Sequence, residues 1–577
     1  MTGQGKKKIP VHLQPYISKQ YYHRYTPIEH AVWRFVMKQN HYFLKDIAHP
    51  AYVNGLKDSG IKTESIPKVD DMNESLEKVG WGAVTIDGLI PGSAFYGFLA
   101  NEILPIATEI RNIQNIAYTP APDMIHEAAG HAPILLDESY REFVRRIGEM
   151  GAKALSSKEK LEVFMAVRHL TIVAEDPNST PEQVKEAEMQ VAEARMKVKG
   201  LSEADQVSRL FWWTVEYGLI GELDNPKIYG AGLLSSVGES QSCLKDDVRK
   251  IPFSIEECTK TPYDVTKPQP QLFVCKTFDD LVAAVDQFAE TMAFRKGGTE
   301  SLEQALETES VATMVFSSGL QVTGTLDTIF KDKSGEAVYF RTKGPTALSL
   351  NNQQLDGHGK ETHRKGFGTP IGCLKGDIVL EECSEEKLRV LGIIEKKTAK
   401  LKFQSGVKVK GTVKSILFAD GKPSLISFND CKVTYKDQVL FEKSWGTFDM
   451  AVGARITSVF AGAADPNHYF EVPSIEVTEE IVEPQVWNEI ESLYNEIRGL
   501  RENSSWDDER VTKVLAILDD HYPKEWLLRL ELLELYKMHD EAHPQIAIIE
   551  EKLQTAHWDE SVKQMIQRGL TLIHNSK

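Results

Sequence analysis

The sequence predicts three successive regions: a mostly α region with short strands over residues 21–297, a β-rich region over 310–477, and an α-helical region over 479–577. Three observations predict this order. Residues 21–297 mix helical spacing of apolar residues with loops punctuated by glycine and proline. Beyond about 310 the apolar runs become short, β-branched and aromatic, with turn residues between them. From about 479 apolar residues recur at spacings of three and four: Val486, Ile490, Leu493, Ile497, Leu500.

A chain of 577 residues has room for several domains. Apolar content of 41% and charged content of 26% are ordinary for a globular protein. The net charge of -17 argues against nucleic-acid or anionic-membrane partners, which need clustered Lys and Arg. No apolar run is long enough to span a bilayer. Lys6, Lys7 and Lys8 have no apolar stretch behind them, so no secretory signal is read. Six scattered cysteines without a CxxC pair read as reduced thiols, which places the chain in the cytoplasm.

Residues 1–20 read as a polar tail. In the first region the most informative stretch runs from Pro122 to Pro133. Asp123 can cap a short helix carrying His126 and Glu127. On an ideal helix His126 and His131 would point about 140° apart, since each residue turns about 100°. The helix is therefore expected to end at Gly130, letting His131 swing back. Ser202 and Asp205 start a helix that Gly218 ends, and Glu216 is the only acid between Phe211 and Ile220. A carboxylate in the last turn of a helix, in an apolar setting, is unfavourable without a cation. Two imidazoles and one carboxylate with open positions suit a non-haem Fe(II) oxygenase.

Between these segments, residues 155–205 read as a helical hairpin. Thr180 caps its second helix, with Pro181 at the first helical position and Gln183 closing the box. Val184, Ala187, Val191, Ala194 and Val198 give that helix an apolar seam, read as a packing face with a dimer contact as the other option. Arg295 to Thr299 reads as a linker. Strands are expected at Val311–Phe316, Leu320–Phe330, Ala337–Arg341, Val407–Phe418, Leu425–Phe428 and Ala454–Phe460, with turns at Lys333–Gly335 and Asp420–Pro423. His358 and His363 repeat the HxxxxH spacing in a polar stretch without caps, and read as a solvated loop.

Several motifs closely resemble the aromatic amino acid hydroxylases, the pterin-dependent iron monooxygenases. They are Tyr25–Trp33, Gly88–Pro91, Tyr118–Glu127, Phe211–Gly218 and Tyr229–Glu239, in the family's order over roughly residues 21–294. The resemblance implies a catalytic domain over 21–297 that binds Fe(II) through His126, His131 and Glu216. It implies a tetrahydropterin cofactor, O2 as cosubstrate, and hydroxylation of the ring of an aromatic amino acid. Arg111 matches the arginine that holds the substrate carboxylate. Thr119, Pro120, Trp212, Gly232, Ser235 and Glu239 match residues lining the amino acid pocket. Phe95 matches the phenylalanine stacking on the pterin, Glu127 the acid that hydrogen-bonds it, and Phe211 replaces a tyrosine at the same cofactor site. Glu127, Trp212 and Ser235 are the expected catalytic residues, with Ser235 also reaching a ligand histidine.

This chain departs from the family at the hairpin and at His-Glu-Ala-Ala-Gly-His, where Leu-Leu is usual. The resemblance also lacks a regulatory domain ahead of residue 21. It covers nothing beyond 298, and the C-terminal region is left as the candidate place for homo-oligomer contact. Val265 aligns with a position apolar in phenylalanine enzymes, which favours phenylalanine giving tyrosine. Tryptophan or tyrosine hydroxylation stays open, as does a non-catalytic scaffold built on the same fold. A zinc hydrolase fits the histidine spacing less well.

Overall fold

Thr26 accepts a hydrogen bond from the Glu29 amide while Glu29 accepts one from Thr26, closing a capping box. Helix α1, Pro27–Phe43, follows in the computed structural model, which describes residues 7–88, 90–116, 122–175, 179–265, 267–470 and 485–575. Val32, Trp33 and Val36 on α1 are fully buried, so this helix runs through the core rather than along a surface.

Strand β1, Gly82–Ile86, pairs in parallel with β2, Ile103–Ala107, through the crossover helix α2, Gly92–Ala100. Helix α3, Glu138–Lys153, lies against α2 so closely that a Cβ on Gly148 would stand 2.6 Å from the Ala100 amide. Helices α4, Lys158–Glu175, and α5, Pro181–Lys197, form a hairpin with Ala187, Val191 and Ala194 buried along its seam. The Thr180–Gln183 capping box starts α5. Helix α6, Glu203–Phe211, starts from its own box at Ser202 and Asp205. Four short strands follow: β3, Leu219–Ile220; β4, Lys227–Ile228; β5, Arg249–Pro252; and β6, Gln271–Cys275, in the order β4-β3-β6-β5.

Two expectations about chain joints fail here. The 1–20 stretch is not simply a polar tail, because Val11–Tyr16 forms a 3-10 helix that buries Leu13 against Gly97 on α2. The stretch from Arg295 to Thr299 is not an open linker. Two helices, Ala293–Lys296 and Gly298–Thr308, meet at Gly297, whose φ of +62° suits glycine and whose Cβ position is 2.5 Å from the Ile456 carbonyl. Close packing against a later strand fixes that joint, which local composition does not reveal.

The β-rich region builds two antiparallel sheets. The first comprises β7, Val311–Phe316; β8, Leu320–Lys331; β9, Ala337–Leu350; β10, Gln353–Gln354; β11, Gly368–Pro370; and a last strand, Ile456–Ala461, that returns to pair with β7. The second comprises β12, Thr398–Lys402; β13, Lys408–Ala419; β14, Lys422–Tyr435; β15, Gln438–Phe441; and β16, Phe448–Ala451. The β13–β14 hairpin turns on Asp420 and Gly421, with φ of +49° and +76°, the pair of positive angles a two-residue hairpin turn needs. Here the third expectation fails. His358 and His363 are not a solvated loop: His363 is 9% exposed, its ring stands edge-on to Phe367, and burial pushes its pKa below the ordinary value. The polar sequence around it hides long-range packing under the second sheet.

Among the described residues five helices follow: Glu489–Glu502, Asp508–His521, Leu527–His539, Pro544–Thr555 and Glu560–Asn575. Val486 is excluded from the first of them. It is 93% exposed, because the helix begins only at Asn488, two residues later, which forms a capping box with Glu491. These helices share one apolar core with α1, where Phe35 meets Trp526 edge-to-face at 5.4 Å. Inside that contact Arg34, 2% exposed, donates from Nε and Nη2 to the two oxygens of Glu531 at 2.6 and 2.9 Å. Among the described residues no helix is long and apolar enough to cross a membrane, and all six cysteines are free.

Candidate metal centre

The helix entered at Asp123 does not end at Gly130. It widens into a π-helix over His126–His131, in which the Ala132 amide donates to the Glu127 carbonyl five residues back, and continues through Ala132–Ile134. Bonding at i to i+5 widens the turn and brings positions i and i+5 much closer round the axis than on an α-helix, so His126 and His131 share a face, their Nε2 atoms 3.1 Å apart. The 140° separation of an ideal helix never arises. Gly130 permits this turn to lie against the following segment: a Cβ there would stand 2.7 Å from the Ala231 carbonyl. The Tyr52 hydroxyl donates to the Ala129 carbonyl at 2.7 Å and props the same turn.

Glu216 ends a second π-helix, Trp212–Glu216, which extends α6. Gly218 and Gly230 let the chain pass under it, since a Cβ on Gly230 would be 2.4 Å from the Glu216 carbonyl. Two wide turns therefore face each other across the site, and such turns recur at functional positions.

The three side chains meet. His126 Nε2 lies 3.1 Å from His131 Nε2 and 3.1 Å from Glu216 Oε2, and His131 Nε2 lies 3.2 Å from Glu216 Oε1. Adjacent corners of an octahedron with bonds of about 2.1 Å are about 3.0 Å apart, so this spacing fits three ligands on one face of a divalent ion. Two ring nitrogens and a carboxylate buried at 7, 5 and 8% exposure need a shared cation or proton between them. Burial would raise the Glu216 carboxyl, but the two rings hold it well below the usual carboxylate range. The ring of His126 is oriented by Ser235: its Oγ donates to the Ala231 carbonyl at 2.8 Å and stands 3.0 Å from His126 Nδ1. With its one hydroxyl proton so placed, Ser235 accepts from Nδ1–H, which leaves the Nε2 lone pair facing the site.

Glu127 sits beside the triad, 3.8 Å from His131 Nε2, and its Oε2 has no hydrogen-bond partner among the described residues. Burial, against the opposing pull of His131, pushes its carboxyl up to about 8. Arg111 is buried rather than on a surface helix. Its Nε and Nη2 donate to Asp123 at 2.9 and 2.7 Å, and Nη1 donates to the Ser235 carbonyl at 3.1 Å. Burial alone would raise Asp123, but Arg111 holds its carboxyl below the ordinary value. Asp123 also accepts from the His126 amide at 3.0 Å, so one carboxylate ties the arginine to the metal-facing turn.

Trp212 lies between two tyrosines, stacked on Tyr217 at 4.5 Å and on Tyr263 at 4.4 Å. Gly232 lies below Tyr217, where a Cβ would meet the ring at 2.8 Å. Glu239 accepts from the Tyr217 hydroxyl at 2.9 Å and from the Gln269 amide at 3.2 Å, and burial raises its carboxyl. Phe95 and Phe211 meet edge-to-face at 5.5 Å. Thr119 and Pro120 lie outside the described residues. Val265, aligned with a position apolar in phenylalanine enzymes, is 40% exposed, and neighbouring Asp264 pairs with Lys267 near the surface.

Sequence reasoning missed the pairing of Asp123 with Arg111 and the tyrosines around Trp212. A buried arginine demands a carboxylate, but nothing local says which one. Tyr217 follows Glu216 directly, which was a usable signal; Tyr263 comes from 46 residues further on and gave none.

The first region of the chain is similar in sequence to known proteins. The family model described as biopterin-dependent aromatic amino acid hydroxylase matches residues 18–174 and 191–315, leaving out part of the α4–α5 hairpin. The phenylalanine-4-hydroxylase of Pseudomonas aeruginosa is 30% identical over 251 residues, covering 43% of this chain and 79% of that protein. The phenylalanine-4-hydroxylase of Mesorhizobium japonicum is 28% identical over 260 residues, covering 44% of this chain and 78% of that protein. A solved structure of Chromobacterium violaceum phenylalanine hydroxylase with iron(III) and 7,8-dihydrobiopterin is 26% identical, covers 48% of this chain and 85% of that one, and aligns with a TM-score of 0.38. On the extent and identity of the sequence match, the chain belongs to the biopterin-dependent aromatic amino acid hydroxylase family.

Proposed function

We propose that this chain hydroxylates the ring of phenylalanine to give tyrosine, using a tetrahydropterin, O2 and one Fe(II) held by His126, His131 and Glu216. The observation carrying the reading is the 3.1–3.2 Å spacing of two ring nitrogens and the two Glu216 oxygens, held by two wide helical turns. The choice of phenylalanine rests on the relatives, which are phenylalanine-4-hydroxylases. When bound, Fe(II) and the reduced pterin would supply the electrons that activate O2.

The chain's residues do the positioning. Ser235 fixes the tautomer of His126. Arg111, already clamped by Asp123, spends three of its five N–H groups on protein partners described here and offers the rest to a substrate carboxylate. Trp212, held flat between Tyr217 and Tyr263, offers a rigid aromatic edge to a substrate ring. Phe95 and Phe211 provide the apolar surface against which a pterin stacks, and the unpartnered Glu127 oxygen is the acceptor for its ring N–H groups.

The test is incubation of the purified chain with Fe(II), tetrahydrobiopterin and O2, in separate reactions with phenylalanine, tyrosine and tryptophan, reading hydroxylated product by chromatography. Tyrosine from phenylalanine, lost in His126→Ala, is expected. Product only from tryptophan or tyrosine would overturn the substrate assignment; no product from an iron-loaded chain would overturn the activity.

A further inference from the structure

A second histidine pair lies in the β-rich region, beyond the last residue of the family match at 315. His358 and His363 occupy the segment between β10 and β11 on the first sheet. Asp449 lies on β16, in the second. Their ligand atoms converge: His358 Nδ1 is 3.4 Å from His363 Nε2, and each of these nitrogens is 3.8 Å from Asp449 Oδ2. We propose that His358, His363 and Asp449 form a second metal site, taking one zinc(II) ion that joins the two sheets and is independent of the triad at His126, His131 and Glu216.

The arrangement has the marks of a held site. The segment's backbone is pinned at both histidines: the Leu348 amide donates to the His358 carbonyl at 2.9 Å, and the Thr346 amide to the His363 carbonyl at 3.1 Å. The His363 ring is steadied edge-on by Phe367 at 5.2 Å, and the two imidazoles lie nearly parallel, 16° apart. Asp449 Oδ1 accepts the hydroxyl of Ser427, its register partner across β14 and β16, which leaves Oδ2 turned to the rings.

Distances separate a metal site from a hydrogen-bonded cluster. A hydrogen bond would bring Oδ2 within about 3.2 Å of a ring nitrogen. At 3.8 Å from both, it bonds to neither, and the three atoms instead surround a common point. Ligands on a tetrahedral zinc, with bonds of about 2.0–2.1 Å, stand about 3.3–3.4 Å apart. The nitrogen pair has that spacing already, and the carboxylate closes it by a few tenths of an ångström. The triad's edges of 3.1–3.2 Å are tighter, so the two sites favour different geometries. Two imidazoles and one carboxylate leave one position for solvent. The His358 side chain, 22% exposed against 9% for His363 and 7% for Asp449, marks the side from which water and the ion enter.

The test counts zinc in the full-length chain. Protein stripped with a chelator is dialysed against zinc chloride in slight excess over two equivalents, then against metal-free buffer, and its zinc is measured by mass spectrometry. The wild type is expected to hold two ions, the His126→Ala/Glu216→Ala variant one, and His358→Ala and Asp449→Asn one each. Zinc is also expected to raise the Tm of His126→Ala/Glu216→Ala, and to lose that effect when His358→Ala is added. Should His358→Ala fail to fold by circular dichroism, the near-isosteric Asp449→Asn decides. Zinc content in the two single variants equal to that of the wild type would overturn the proposal and leave a buried histidine pair.

Discussion

Ser235 shows how much one hydroxyl decides. It donates to the Ala231 carbonyl, so it can only accept from His126, and the lone pair of that ring is thereby aimed at Glu216 and His131. Ser235→Ala removes this constraint without opening a large cavity. Iron affinity is expected to fall about 10- to 100-fold, the usual cost of losing the partner behind a metal-bound histidine, with unchanged folding by circular dichroism. Equal affinity would mean that packing alone orients the ring. At this scale His126, His131 and Glu216 were legible in the sequence, since each is a polar residue in an apolar stretch that would be unfavourable without a shared ion. Asp123 was legible only as a helix cap. Its second task, holding Arg111, depends on a contact that no local rule supplies. The third member of the His358 and His363 cluster was hidden for the same reason: Asp449 arrives by strand pairing.

The elements that carry the triad depart from ideal helices, and this is where sequence reading went astray. A period of 3.6 residues sets His126 and His131 apart, and the wide turn over His126–His131 brings them together. No residue in His-Glu-Ala-Ala-Gly-His announces that turn, although Gly130 allows its close approach to Ala231. Gly130→Ala places a methyl 2.7 Å from a backbone oxygen, so the turn must move. Turnover is expected to drop at least about tenfold, since a displacement near 1 Å costs on the order of 10²-fold. Retention of wild-type kcat would show that the turn tolerates the shift. Caps were the most readable features: the boxes at Thr180–Gln183 and Ser202–Asp205 follow from residue type alone. The helix Leu527–His539 carries a pH prediction. Burial would raise the Glu531 carboxyl, but Arg34 and Arg501 hold it below its ordinary 4.5. A depressed acid contributes stability that is complete above the unfolded value and is lost as pH falls through the folded one. Acid unfolding followed by tryptophan fluorescence should therefore steepen below about pH 4.5, and Arg34→Met/Glu531→Met should flatten it. An unaltered profile in the double variant would remove this pair as the cause.

Across the whole molecule, α1 links the metal-bearing helices to the C-terminal ones. One side of this contact is apolar, with Phe35 against Trp526; the other is ionic, with Arg34 buried on Glu531. The three-part order of textures was readable, because strand and helix periods differ along the chain. The sharing of one core by residues far apart in sequence was not, since periodicity reports a face and never its partner. A chain ending at residue 470 would bare that face of α1 and leave Arg34 without Glu531, a change that costs about 3–5 kcal/mol for the buried charge alone. Such a chain is expected to lose cooperative thermal unfolding and iron together; a stable, iron-loaded fragment would show that the C-terminal helices only dock. The most direct measurement is anomalous diffraction at the iron edge from crystals of the full chain grown anaerobically with Fe(II). The account predicts one strong peak bounded by His126 Nε2, His131 Nε2 and the Glu216 carboxylate. No peak at the triad in iron-loaded protein would contradict it.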